Sequence, residues 1–164
     1  MVGTFRRATD GDIERLLADP GSVVEFIYES DDADGDDLDI DKAWHGLHFL
    51  LTGTDWAGEP PLNFLVSGGT PIGNVEVGYD VVRAFTSAQV REIAAALSGL
   101  TAGELRRRFD PERMVALDIY PSVIWTRPPE EDDSLGYLIE YFEILEEYVS
   151  TLAEDGLGML VYVT

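Results

Sequence analysis

The sequence predicts a single α+β domain spanning residues 1–164. It comprises a small, mostly antiparallel sheet packed with several helices, and a long C-terminal helix followed by a final strand. Three observations carry this reading. Segments of helical and strand character are mixed without strict alternation. Leu135, Leu138, Ile139, Phe142, Leu145, Val149 and Leu152 recur at helical spacing, with Glu140, Glu143 and Glu147 on the opposite side. The closing "LGMLVYVT" is apolar at successive positions, as expected of a central strand buried on both faces. A chain of 164 residues is long enough to bury a substantial core without splitting into domains.

The elements follow in order. "GTFRRAT" from Gly3 reads as a short strand. "DGDIERLLAD" reads as a helix capped by Asp10 and stopped by Pro20-Gly21. "VVEFIY" fits strand or helix, and its length does not decide. The charged loop "ESDDADGDDLDID" leads into a helix expected from near Asp39 to Gly53. "GEPPLNFLVSGGTPIGN" reads as a loop with a short helix begun by Pro60-Pro61, then a glycine-rich turn. "VEVGYDVVRAF" is one strand, or two with a turn at Gly78. Three further helices have explicit starts. Thr86 or Ser87 caps the first, Thr101 with Glu104 forms a capping box on the second, and Asp110 with Pro111 opens the third. "YPSVIWTRPPEEDD" is irregular. Asp133 or Ser134 opens the long helix, and Gly156 ends it.

Composition limits the function classes. The formal charge is −21, from 32 acidic and 11 basic residues. Such a chain repels a phosphate backbone and an anionic membrane surface, so neither nucleic acid nor membrane is an expected partner. The run Arg106-Arg107-Arg108 sits between Glu104 and Asp110 and reads as a solvated helix face. A basic protein partner fits the charge, as do solubility and adaptation to salt. Cysteine is absent, which removes disulfides, thiolate nucleophiles and thiolate-bound metals. There is no apolar run of membrane-spanning length and no secretory h-region in "MVGTFRRATDGD". A cytoplasmic protein is the simplest expectation.

The stretch "LDIDKAWHGLHFLLTGT", residues 38–54, holds both histidines. On a helical wheel Ile40, Trp44, Leu47 and Leu51 form an apolar stripe, and Asp41, His45 and His48 share its flank. Three readings compete. A metal site would use the imidazoles and a carboxylate, but ligands stacked along one helix do not surround an ion, so no metal and no cofactor is expected. Acid–base chemistry would use His48 with Asp41 as the catalytic candidates, in a cleft where Trp44, Tyr79, Arg83 and Tyr120 bind a ligand. No nucleophile motif accompanies them. The favoured reading makes His48 a half-buried structural tie to another segment's backbone, with His45 facing solvent.

Two loop motifs are weaker. Aligning Gly35 with an EF-hand glycine puts Ser30, Asp32, Asp34 and Asp41 at ligand positions. The first ligand should then be Asp, the twelfth Glu, and Asp37 occupies an apolar position, so a solvated acidic loop is preferred. "SGGTPIG" lacks the strand-to-helix context of a phosphate cradle. Arg83, among apolar strand residues, needs an anionic partner, expected to be an internal carboxylate.

The segment 38–54, with "GYDVVRAFTSAQVREIAAAL", "ELRRRFDPERM" and "IYPSVIW" in the same order, resembles the YfbM-like family (domain of unknown function 1877), small bacterial proteins without assigned activity. Trp44, His48, Gly78, Tyr79, Tyr120 and Pro121 match its motifs, whereas His45 and the Asp-rich loop do not. The resemblance spans nearly the whole chain and implies one α+β domain. From charge, the expected function is a non-enzymatic interaction module, of inhibitor or immunity type, for a basic partner. The alternative is a small-molecule-binding protein or acid–base enzyme with its cleft at His48.

Overall fold

The computed structural model describes residues 1–29 and 37–164. Five strands form one antiparallel sheet: β1 (Gly3–Ala8), β2 (Leu38–Asp39), β3 (Thr70–Val77), β4 (Asp80–Phe85) and β5 (Gly158–Val163), in the order β2-β1-β5-β4-β3. The last strand of the chain is therefore the middle one, and all six of its residues are buried. Alternation splits them: Met159, Val161 and Val163 join the larger core cluster, while Leu160 and Tyr162 join the smaller.

Each cluster needs its own cover. On the smaller side, α1 (Asp10–Ala18) and α2 (Val23–Tyr28), joined by a short 3-10 turn at Pro20–Ser22, bring Ile13, Leu16, Val23 and Ile27 onto the sheet. On the larger side lie α3 (Ala43–Thr52), α4 (Ser87–Ser98), α5 (Ala102–Arg108), α6 (Pro111–Ala116) and α7 (Ser134–Asp155). The architecture is helices on both faces of an antiparallel sheet.

Most ends follow the local chemistry. Thr86 with Gln89 and Thr101 with Glu104 make reciprocal capping boxes, and Asp110 and Asp133 cap α6 and α7. Gly156 ends α7 at a φ of 68°. The hairpin turns at Gly78-Tyr79, and Gly78 has a φ of 79°. A side chain on Gly78 would also meet Val163 O at 2.6 Å, so the tight turn and the close approach both demand glycine.

Three expectations are corrected, and the open choice at "VVEFIY" is decided. The α1 cap is Thr9, whose hydroxyl accepts from Asp12 N while the Asp12 carboxylate accepts from Thr9 N; Asp10 instead accepts from Ser87 N at 2.8 Å and Ser87 Oγ at 2.7 Å. "VVEFIY" is helical. Pro60-Pro61 opens turns, not a helix. The helix expected from Asp39 begins at Ala43, because Leu38 and Asp39 pair with Phe5 and Thr4 of β1. Asp41 then sits in the connecting turn at a φ of 48°.

Helices α3 and α7 meet at Gly46. A Cβ there would lie 2.7 Å from Trp125 Cη2 and 2.8 Å from Leu138 Cδ2. Gly→Ala inside a helix ordinarily gains about 1 kcal/mol. Gly46→Ala is expected to destabilise the protein by about 1–3 kcal/mol in urea unfolding, because overpacking outweighs propensity. A gain in stability would show that the helices do not close at this point.

Candidate functional site

The histidine helix carries two differently wired imidazoles. His45 is fully buried, not solvent-facing as expected. Its Nδ1 accepts from Tyr120 N at 2.9 Å; a backbone N–H can only donate, so the ring proton sits on Nε2 and donates to Asp55 O at 3.0 Å. One ring thus joins α3 to two separate segments. Burial lowers its pKa, against the opposing pull of the Asp55 carbonyl and the charges of Asp55 and Asp118. His45 thus makes a tie of the kind expected of His48.

His48 is also fully buried. The Thr52 hydroxyl donates to His48 O at 2.9 Å, and the Thr54 hydroxyl donates to Ala57 O at 2.6 Å. Both hydroxyl oxygens also lie by His48 Nε2, at 3.3 and 3.5 Å, and 3.0 Å from each other. Nδ1 is left without a partner among the described residues. Burial pushes its pKa down to about 4; the Ala57 carbonyl opposes this, and the His45 ring and the Arg83 charge reinforce it.

Arg83 on β4 is 6% exposed. Its partners are backbone carbonyls, not the internal carboxylate expected: Phe64 O at 2.9 Å, Ser67 O at 2.8 Å and Leu65 O at 3.0 Å. The glycine-rich turn at Gly68 and Gly69 thus turns carbonyls inward toward a guanidinium. That is the opposite polarity to a phosphate cradle. Arg83 Nε is the other buried atom without a partner among the described residues, and burial lowers the group's pKa to about 10 despite Asp80.

The remaining candidates divide. Trp44 is buried and stacks on His45, ring centroids 4.9 Å apart and planes 7° apart, with Tyr120 at 6.0 Å on an offset stack. Trp56, missed in the sequence, completes this cluster 4.4 Å from His45 and 5.9 Å from Trp44. The Tyr120 hydroxyl accepts from the Met1 ammonium at 3.1 Å. Tyr79, 70% exposed, stands at the β3–β4 turn. Asp41 is absent from the helix face it was expected to share with the histidines; its carboxylate accepts from the Tyr137 hydroxyl at 3.0 Å. Burial, then Asp41, raises the Tyr137 pKa. The EF-hand reading at Ser30, Asp32, Asp34 and Gly35 lies outside the described residues, while Asp37 pairs with Arg6 at 2.9 Å. Among the described residues no three histidine or carboxylate side chains converge as a metal site would require.

Three clefts lie away from this site. One of about 560 Å³ runs beside Arg6, Arg15 and Phe26, one of about 220 Å³ beside Tyr148, and one of about 730 Å³ beside Trp125 and Arg127; neither His48 nor Arg83 lines any of them. No described helix is long and apolar enough to cross a membrane.

This is an α+β protein whose polar centre is enclosed, and the chain belongs to the DUF1877 family, "Domain of unknown function (DUF1877)", whose model matches residues 1–162. It is similar to Protein YfbM of Escherichia coli (strain K12), at 33% identity over 169 residues covering 99% of this chain and 98% of that protein. It is also similar in fold to the crystal structure of YfbM from Escherichia coli, described as a protein of unknown function. The TM-score is 0.76 at 25% identity, covering 98% of each chain.

The imidazole of His48 sets a pH dependence. Its folded pKa, about 4, lies below the ordinary 6.5, so the fold favours the neutral ring. This contribution is complete above 6.5 and is lost as pH falls toward 4, because the unfolded chain binds the proton first. Its full size is on the order of 3 kcal/mol. Urea unfolding between pH 7 and 4 should show this loss, and His48→Gln, which keeps a polar side chain at this position, should flatten it. An unchanged slope in the variant would contradict the assignment.

Proposed function

We propose that this protein is a non-enzymatic interaction module that binds a basic protein partner, in the manner of inhibitor or immunity proteins, and that it works in the cytoplasm. The observation that carries the reading is the charge of −21 together with its placement on α7. That helix has six carboxylates and no lysine or arginine over its 22 residues. Glu140, Glu143, Glu147 and Glu154 are exposed along one stripe, with Ile144, 40% exposed, among them. None of these four carboxylates is in an ion pair among the described residues.

Such a stripe supplies both parts of a recognition surface. Uncompensated negative charge steers a basic partner and disfavours acidic ones, and an exposed isoleucine gives apolar area to bury. Nucleic acid and anionic membrane remain poor partners on the same argument. The reading that places acid–base chemistry in a cleft at His48 draws no support from an enclosed, neutral imidazole bounded by threonine hydroxyls.

A tagged protein should capture a basic protein from its native host's lysate at low salt and release it at high salt. Replacing Glu140, Glu143, Glu147 and Glu154 together by Gln should abolish capture while leaving the circular dichroism spectrum unchanged. Capture that ignores both salt and the four substitutions would sink the proposal, as would the lack of any salt-sensitive partner.

A further inference from the structure

The structure assigns the exposed face of Trp56 as the seat for an arginine side chain of a basic protein partner, an inference that rests on the interaction-module reading above. Three features meet there. Trp56 is 58% exposed, whereas Trp44 and Trp125 are buried. An indole left in water forgoes a large apolar gain, and here it is also held in place. One side packs on the His45 ring, and the backbone N–H of Trp56 donates to Asp55 Oδ1 at 2.8 Å. His45 in turn fixes the segment through Asp55 O.

The electrostatics match a cation. Asp55 and Asp118 lie close enough for their charges to act on His45, and neither is in an ion pair among the described residues. The ring beneath the indole is neutral in the tautomer fixed by Tyr120 N, so no positive charge opposes an incoming one from below. A cation over the open indole face gains from the ring quadrupole, and the carboxylate of the adjacent Asp55 can take its N–H groups. Arginine fits better than lysine because its planar guanidinium stacks on the ring while its edges still donate. A second copy of this chain is a poor occupant, since it would bring −21 against −21. Tryptophan and arginine are also the residues that most often dominate an interface.

The probe is an octa-arginine peptide titrated into ¹⁵N-labelled protein at low salt. The three indole N–H signals report on the three tryptophans separately, and loss of one signal in Trp56→Leu identifies Trp56. The expected result is a shift of that signal alone among the three. Trp56→Leu should weaken binding about threefold to tenfold, Trp56→Phe less, and octa-lysine should bind more weakly than octa-arginine. An unmoved Trp56 signal with equal affinity in Trp56→Leu would overturn the inference. In that case, weakened binding by the four-glutamine variant of α7 would leave the acidic-surface reading standing. If octa-arginine failed to bind the unaltered protein at all, both would fall. Self-association removed by Trp56→Leu in sedimentation velocity would also overturn the inference, because the indole would then cover a second copy of the chain.

Discussion

Strand β5 is the constraint on which the rest of the fold depends. Every residue from Gly158 to Val163 is buried, so neither face of this central strand meets water. A strand apolar on both sides stabilises nothing until both layers are in place. The N-terminal helices supply one layer and the five later helices the other. The central hydrogen-bond ladders of β5 with β1 and β4 pair segments far apart in sequence. The pairing of Gly3 with Val163 joins the two ends of the chain in the middle of the sheet.

Closing the larger layer brings polar groups inside, and two histidines handle them. His45 satisfies a donor at residue 120 and an acceptor at residue 55, which the short helix α3 could not reach with backbone alone. His48 meets the hydroxyls that finish the same helix. The His45 ring must be neutral to fit, since a protonated Nδ1 would face the Tyr120 N–H with a second donor. At His45 burial and wiring thus favour the same protonation state.

Much of this was legible in local sequence. The capping boxes at Thr101 and Thr86, the stripe of α7 and the doubly apolar β5 depend on residues within a few positions of one another, where periodicity and cap chemistry act. What was not legible depends on distance. Leu38 and Asp39 become a strand because β1 offers an edge, and that shortens the helix expected from Asp39. His45 is buried because a donor 75 residues away needs an acceptor, which no wheel reveals. The carbonyls around Arg83 come from a turn 15 to 19 residues upstream, and composition suggested a carboxylate instead. Trp56 lay in a loop without periodicity, so nothing linked it to Trp44 and Tyr120 until the chain folded.

The use of the scarce cations connects the interior to the surface. Arg6 donates to Ile27 O near the end of α2, Arg108 to Leu50 O and Leu51 O at the end of α3, and Arg113 to Gly53 O just beyond it. Arg83 gathers the carbonyls of the turn after Leu62. These four arginines do what the negative ends of helices and turns ask of a cation. Of the four, only Arg6 also pairs with a carboxylate among the described residues, that of Asp37. A guanidinium directed at a carbonyl still carries its charge, but it does not sit against a surface acid. In a chain with 11 basic residues this leaves long stretches of acid without a neighbour of opposite sign, and the stripe of α7 is one of them. The formal charge is therefore unevenly distributed: these four cations are held against backbone at helix ends and turns, while the carboxylates along the α7 stripe stand outward. The same economy of cations that satisfies the fold's carbonyls is what leaves an outward face able to attract a basic one.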